Sequence, residues 1–363
     1  MMRIHCLMIE KYVIFVFPKF PVFRNKRVRK RNFKQVCLQN KRNEETMKNL
    51  DIYAKQVQAI SKEVQKVIFG KDEVINKILM TIIGGGHILI DDIPGVGKTT
   101  MANAFAKAMG LKQRRVQFTP DVMPSDITGF SIYNSKTGAF EYKEGAVMCN
   151  LFLADEINRT SPKTQSALLE VMEEGKVSVD GITHEIEQPF IVLATQNPEG
   201  SIGTQKLPES QLDRFMTCTS IGYPSIEATV EIIQGKRFNL MDTVNNVISK
   251  EELVTIRNAV KQVYIEEAVC VYIAQLVQQS RVHESVQLGI SPRGSVAIAG
   301  LAKACAFLQG RDYVVPSDVQ DILYETMNHR LVLNARAKVN KVTIRAVVED
   351  IIKAVAVPAL KMH

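Results

Sequence analysis

The residues from Ile88 to Thr100 have the types and order needed to hold a phosphate. An apolar run, Ile88-Leu89-Ile90, leads into Pro94, Gly95, Val96, Gly97, Lys98, Thr99 and Thr100, and a helical pattern follows from Met101 to Met109. A strand, a glycine-bearing loop and a helix in that order form a phosphate-binding loop. Its backbone N–H groups and the helix N-terminus converge on one anion. Lys98 adds a full charge for the β- and γ-phosphates, and the Thr99 hydroxyl can ligate Mg²⁺. One position departs from G-x-x-x-x-G-K-[ST]: Asp92 stands where the first glycine is usual. A carboxylate facing phosphate would repel it, so Asp92 is expected to point away.

A second group is Leu151-Phe152-Leu153-Ala154-Asp155-Glu156, a buried strand with two acids at its C-terminal end. Open α/β sheets bind ligands at that end. Asp155 is placed to hold Mg²⁺ through water, and Glu156 to orient and deprotonate an attacking water. A third is Phe190 to Thr195, another buried strand, which runs into Gln196-Asn197-Pro198. Asn197 at the end of a strand beside the acid-bearing one can hold the same water.

Several elements must position these groups. Asn49 to Ile68 has an apolar helical face, Phe69-Gly70-Lys71 breaks it, and a second helix is predicted over 72–83 with Asp72 as N-cap. In loop ATPases of this layout the junction touches the adenine, and Ile68 and Gly70 are the expected contacts. Arg115 to Phe118 reads as a strand. The turn-rich stretch from Thr119 to Asn150 is too long for a plain connection, and holds a short helix and a hairpin. Ser161 and Pro162 open a helix to Glu174. Asp180-Gly181 centres a second hairpin, Lys176 to Ile186. An acidic-capped helix with one arginine, Arg214, precedes a strand over 217–221, and Tyr223-Pro224-Ser225 marks a boundary. Beyond it six helices are predicted: 226–234, 249–263, 266–280, 292–308, 316–330 and 343–355.

Charge and cysteines narrow the function. Of 46 Lys+Arg and 38 Asp+Glu, residues 1–48 hold 13 and 3, a balance of +10; the remaining 33 and 35 leave −2. The basic character therefore belongs to the N-terminal stretch, and the near-neutral body lacks the footprint of sequence-independent nucleic-acid binding. The six cysteines form no C-x-x-C pair and read as free thiols in a reducing, cytoplasmic compartment. No zinc signature is present. The apolar run in 1–46 is interrupted by Glu10, Lys11, Pro18, Lys19 and Pro21, too often for a membrane span. Residues 1–46 are expected to be a basic, disordered extension, either a membrane-surface or nucleic-acid tail or sequence upstream of a start at Met47.

Taken in order, Pro94 to Thr99, Asp155-Glu156-Ile157-Asn158-Arg159, Ala194 to Pro198, Gln211-Leu212-Asp213-Arg214-Phe215 and Ser291-Pro292-Arg293 resemble the MoxR family of AAA+ ATPases. The similarity includes Gln117 to Asp121, Pro124 to Gly129 and Gly310 to Val314, and runs from about Met47 to Pro358. It implies a three-layer αβα ATPase domain with a parallel sheet over 47–222, followed by an all-helical lid over 223–363. It further implies ATP and Mg²⁺ as ligands, and a homo-oligomeric ring, expected to be a hexamer, with nucleotide between subunits. Arg214 then resembles the arginine finger for the neighbour's γ-phosphate, Arg293 the sensor-2 lid arginine, and Asn197 sensor 1. A surface salt bridge is the alternative for each arginine. Arg159 is open between a cross-subunit contact and a local ion pair. The insertion at 121–145 and the hairpin at 176–186 resemble pore-facing elements. Family members act as chaperone-like machines on protein partners, often ones with a von Willebrand factor A-type domain. The competing class is a nucleic-acid or chelatase-type motor. A non-hydrolysing scaffold would need neither Glu156 nor Arg214.

Overall fold

The structure is a computed structural model, and it describes residues 5–9, 12–16, 52–93, 95–197, 204–234 and 240–359. The chain divides into two compact units, Met1–Ile52 and Tyr53–His363. In the first, β1 (His5–Ile9) pairs antiparallel with β2 (Tyr12–Val16). The sequence reading placed no element there, and its basic cluster from Arg24 to Lys34 lies outside the described residues.

The second unit begins one residue into α1 (52–65), and α2 (Asp72–Ile83) follows. Asp72 is not the N-cap: Lys71 holds that position without a side-chain cap, and Asp72 is the first helical residue. A negative charge in the first turn still suits the helix dipole. Then come β3 (Ile88–Asp91), α3 (Lys98–Ala108), β4 (Gln113–Gln117), the short α4 (Pro124–Thr128), β5 (Gly129–Asn134), β6 (Ala139–Glu144) and β7 (Leu151–Asp155). After a 3₁₀ turn at Ile157–Arg159 follow α5 (Pro162–Glu174), β8 (Lys176–Val179), β9 (Ile182–Glu185), β10 (Ile191–Gln196), α6 (Glu209–Leu212) and β11 (Thr217–Thr219).

Five of these strands form one parallel sheet in the order β11-β3-β10-β7-β4. Its central strands are apolar on both faces because both faces are covered: Ile88, Leu89 and Ile90 of β3, Leu151 to Ala154 of β7 and Ile191 to Ala194 of β10 are all buried. Phe118, Phe152, Phe190 and Phe215 fill the core with Leu168 and Leu169 of α5. α5 begins where its sequence says: Ser161 Oγ accepts from Thr164 N at 3.3 Å, Pro162 sits in the first turn, and Gly175 ends the helix at φ 64°.

Two hairpins stand off the sheet. β5 and β6 pair from Gly129↔Glu144 to Asn134↔Ala139, and β8 and β9 turn through Asp180 and Gly181, both at positive φ. Their faces meet where the Tyr142 ring stacks on His184 at 3.8 Å.

The C-terminal part contains α7 (Ile226–Ile233), α8 (Lys250–Gln262), α9 (Glu267–Val282), β12 (Val286–Leu288), α10 (Pro292–Leu308), α11 (Pro316–Met327), β13 (Val332–Leu333), α12 (Ala335–Val339) and α13 (Ile344–Ala354). It is helical apart from the small β12–β13 pair, which, like α12, is too short to show as periodicity. Arg311 explains the Gly310-to-Val314 motif: its guanidinium grips the buried Asp318, which also accepts from Val315 N at 2.8 Å and so caps α11. The C-terminal part is tied to α2 by Lys77–Glu325 at 2.5 Å, and by Arg257 Nε, which donates to Ile82 O at 2.8 Å.

Candidate functional site

The phosphate loop leaves β3 and enters α3, as its sequence requires. Gly95 and Gly97 both have positive φ, 84° and 93°, which explains the two glycines nearest the lysine. Gly97 is the N-cap of α3, so the free N–H groups of its first turn, including those of Lys98, Thr99 and Thr100, point into the loop. Val96 lies between the glycines, and Pro94 is outside the described residues. Ile68 reaches this site: its Cδ1 is 3.9 Å from where a Cβ on Gly97 would be. Gly70 turns the chain at φ 65°, and Lys71 Nζ donates to Tyr223 O at 2.8 Å. The α1–α2 junction therefore touches both the loop and the segment that follows β11.

Asp92 faces away from the loop, as expected, and its destination is specific. Its Oδ2 accepts from Ser220 Oγ at 3.0 Å and from the backbone N–H groups of Ile221 and Gly222, each at 2.6 Å; Oδ1 accepts from Ile93 N at 2.9 Å. A buried carboxylate with four donors is well satisfied. It fastens the start of the loop to the segment that leaves β11.

Lys98 is buried, and its ammonium donates to Asp92 O and to Gln196 O, the latter at 3.3 Å. Burial pulls its pKa below the ordinary lysine value, against the opposing pull of Asp92, Asp155, Asp91 and Glu156. β10 lies between β3 and β7, so Asn197 projects from between the loop and the acids.

On β7, Asp155 Oδ1 accepts from Thr195 Oγ1 at 2.7 Å and Oδ2 from Arg115 Nη2 at 2.7 Å. Glu156 adopts φ 57°, a left-handed conformation that costs a non-glycine residue energy and concentrates at functional sites. Its N–H donates to Thr195 Oγ1 at 2.9 Å, and its carboxylate takes Arg159 Nη1 at 2.7 Å. Burial pushes the Glu156 pKa up, but the bonds from Arg159 and Asn197 outweigh it and leave the carboxyl below its ordinary value. Arg159 is therefore a local ion-pair partner. Asn197 is buried with its Oδ1 unpartnered, while its backbone is fixed on both sides by Asn158: Asn158 Nδ2 donates to Asn197 O at 3.1 Å and Asn197 N to Asn158 Oδ1 at 3.3 Å.

Arg214 and Arg293 meet elsewhere, at Glu173 near the end of α5. Arg214 Nη2 lies 3.4 Å from Glu173 Oε2, and Arg293 Nη2 bonds Glu173 Oε1. The structure thus gathers Lys98, Asp155, Glu156 and Asn197 in one place and the two arginines in another.

Residues 87–217 match the ATPase family associated with various cellular activities (AAA), and residues 278–351 match the AAA lid domain. YeaC of Bacillus subtilis, an uncharacterized protein, is 47% identical over 81% of this chain and 92% of its own length. Chaperone MoxR1 of Mycobacterium tuberculosis is 37% identical over 82% of this chain and 81% of its own. The chain belongs to the MoxR family of AAA+ ATPases. A solved crystal structure of an ATPase candidate from Cytophaga hutchinsonii has the same fold, with a TM-score of 0.81 at 38% identity, over 89% of this chain and all of that one. The parallel sheet and following lid are accordingly the AAA+ architecture.

Within this MoxR-family site, sequence reading missed Thr195, Asn158, Arg115 and Glu173. Each acts across strands or elements, so its partner shows only in the fold. Arg115 had one available signal: it and Gln117 alternate polar on β4, and Arg115 Nη2 donates to Gln117 Oε1 at 2.9 Å. The residues present fit a nucleoside triphosphate with a divalent ion. Among the described residues Lys98 has only main-chain partners and the buried Asn197 Oδ1 lacks one, and space is open where a Cβ on Gly95 would stand.

Proposed function

We propose that this chain is a Mg²⁺-dependent ATPase that works as a homo-oligomeric ring, and that hydrolysis drives remodelling or maturation of a protein partner. The observation that carries the reading is the buried, unpartnered Asn197 Oδ1 beside Glu156, at the end of the strand between Lys98 and Asp155. A water held there has an acceptor in Asn197 and a base in Glu156.

The loop N–H groups and Lys98 bind the phosphates; Ile68 and Gly70 line the base. Thr99 and, through water, Asp155 would hold Mg²⁺, which supplies charge neutralisation on the β- and γ-oxygens. Glu156 accepts the proton of the attacking water. Arg214 serves the γ-phosphate of the neighbouring subunit, and Arg293 joins the lid to the nucleotide state. Their contact with Glu173 is a half-exposed ion pair, of a strength easily exchanged for phosphate. The ring form rests on this separation, since one chain brings its loop and its finger to different places. The hairpins, with exposed Phe130, Tyr133, Phe140 and Ile182, are the surface for a protein partner, one with a von Willebrand factor A-type domain in the family pattern. The cytoplasm suits the free thiols Cys149, Cys218, Cys270 and Cys305. Among the described residues no helix is long and apolar enough to cross a membrane.

Glu156→Gln tests the reading. It should bind ATP with unchanged affinity and hydrolyse it about 10²–10⁴-fold more slowly; undiminished turnover removes Glu156 as the base. The trapped protein is then the bait for the partner. Stimulation of the wild-type ATPase by DNA would favour the nucleic-acid motor instead.

A further inference from the structure

The turn that carries Arg214 runs from Asp213 to Met216, between α6 and β11 of the ATPase core. Its polar groups are satisfied from the lid. Arg330, three residues past the end of α11 and 4% exposed, donates through Nε to Asp213 Oδ1 at 2.7 Å and through Nη2 to Asp213 O at 3.1 Å and Phe215 O at 2.5 Å. Its Nη1 donates to Met216 O at 3.1 Å and to Thr326 O within the lid. The neighbouring His329 donates through Nε2 to Phe215 O at 3.0 Å. From the other side Ser291, the N-cap of α10, donates its hydroxyl to Asp213 Oδ2 at 2.7 Å.

Turn carbonyls at a domain edge ordinarily face water. Here three of four, with the Asp213 carboxylate, are taken by a desolvated guanidinium. Burying that charge is costly, and its single carboxylate partner and full set of acceptors offset the cost. The approach also requires Gly294. A Cβ there would lie 2.5 Å from Ile290 Cγ2 and 3.2 Å from Arg330 Cδ. The result is a core turn held in the frame of the lid by residues from two lid elements.

We propose that Arg330 is a positioning residue for catalysis in the neighbouring subunit: it fixes the Arg214 turn to the lid, so that movement of one subunit's lid is delivered to the next subunit's site as displacement of Arg214. This rests on the reading of Arg214 as the finger. The bonds couple a lid that moves with its own nucleotide to a side chain used elsewhere, a direct mechanical link between adjacent sites. A misplacement of about 1 Å is enough to cost on the order of 10²-fold in rate.

The experiment is subunit mixing with full-length chains, read as ATPase kcat alongside affinity for a fluorescent ATP analogue. Arg330→Gln should keep its nucleotide affinity and lose on the order of 10²-fold in kcat. Because only its donated group is misplaced, activity should return on mixing with Lys98→Ala subunits and should not return on mixing with Arg214→Ala. Ser291→Asp keeps a capping side chain on α10 but sets a carboxylate against Asp213. It should show the same pattern with a smaller loss, and it decides the matter if Arg330→Gln does not fold. If Arg214→Ala is rescued by Lys98→Ala and neither lid variant is, Arg330 has no positioning role and the finger reading stands. If Arg214→Ala is itself not rescued, the finger reading fails and takes this proposal with it.

Discussion

Lys98 and Arg214 are the two cations we propose for phosphate, and the chain holds them in opposite ways. Lys98 is buried and donates to the main-chain carbonyls of Asp92 and Gln196, at the ends of two adjacent sheet strands. The Arg214 side chain is 30% exposed and, among the described residues, its Nε has no partner and its ion pair, at 3.4 Å to Glu173, is shared with Arg293. A group bonded to sheet backbone is set once, at folding. A group bonded to another side chain can be redirected at little cost. The receiving half of the site is preset, and the donating half can be switched.

The largest effect should break this comparison if it is wrong. Arg214→Ala should lose about 10³-fold or more in kcat with nucleotide affinity unchanged, whereas Lys98→Ala should lose nucleotide binding itself. Equal loss of affinity in both, by titration calorimetry, would place Arg214 in its own subunit's site. Next is Asp92→Ala, which strips the acceptor from three backbone N–H groups and the Ser220 hydroxyl. About 2–4 kcal/mol of stability should go in denaturant unfolding, and a near-neutral result would mean that water replaces the carboxylate. Arg159→Ala should act on pH dependence. Burial raises the Glu156 pKa and Arg159 holds it down, so removing Arg159 lets it rise. The base works when ionised, above its pKa. The acid limb of the kcat profile should therefore move to higher pH while the alkaline side stays; an unmoved acid limb would detach Arg159 from the base. Smallest is Glu173→Gln, which weakens a half-exposed pair. Stability should change by less than about 1 kcal/mol, and ATPase activity should rise because Arg214 is released. A large loss of stability would show the donating half to be as fixed as the receiving one.

Much of the receiving half could be read in the sequence because its signals are local. Ile88 to Ile90 announce a buried strand, Gly95 and Gly97 a positive-φ loop, Ser161-Pro162 a helix start and Asp180-Gly181 a hairpin turn. What supports these groups was not legible. Thr195 bridges Asp155 and the Glu156 N–H only because β10 lies beside β7, and Asn158 clamps Asn197 for the same reason. Asp92 could be told to avoid phosphate, but its destination at Ile221 and Gly222 depends on β11 being the neighbour of β3. The donating half was named by motif alone. Glu173, which gathers Arg214 and Arg293, carries no motif and stands in a helix that reads as ordinary amphipathic sequence.

The place of β10 between β3 and β7 also makes the sheet a ruler. The strand that launches the phosphate loop and the strand that ends in Asp155 are separated by two ladder spacings, about 9–10 Å. That interval is written in backbone hydrogen bonds, so no side-chain substitution at either end changes it. Evolution or design can alter which groups stand at the two marks, and what Asn197 offers at the midpoint, but the gap itself comes with the strand order.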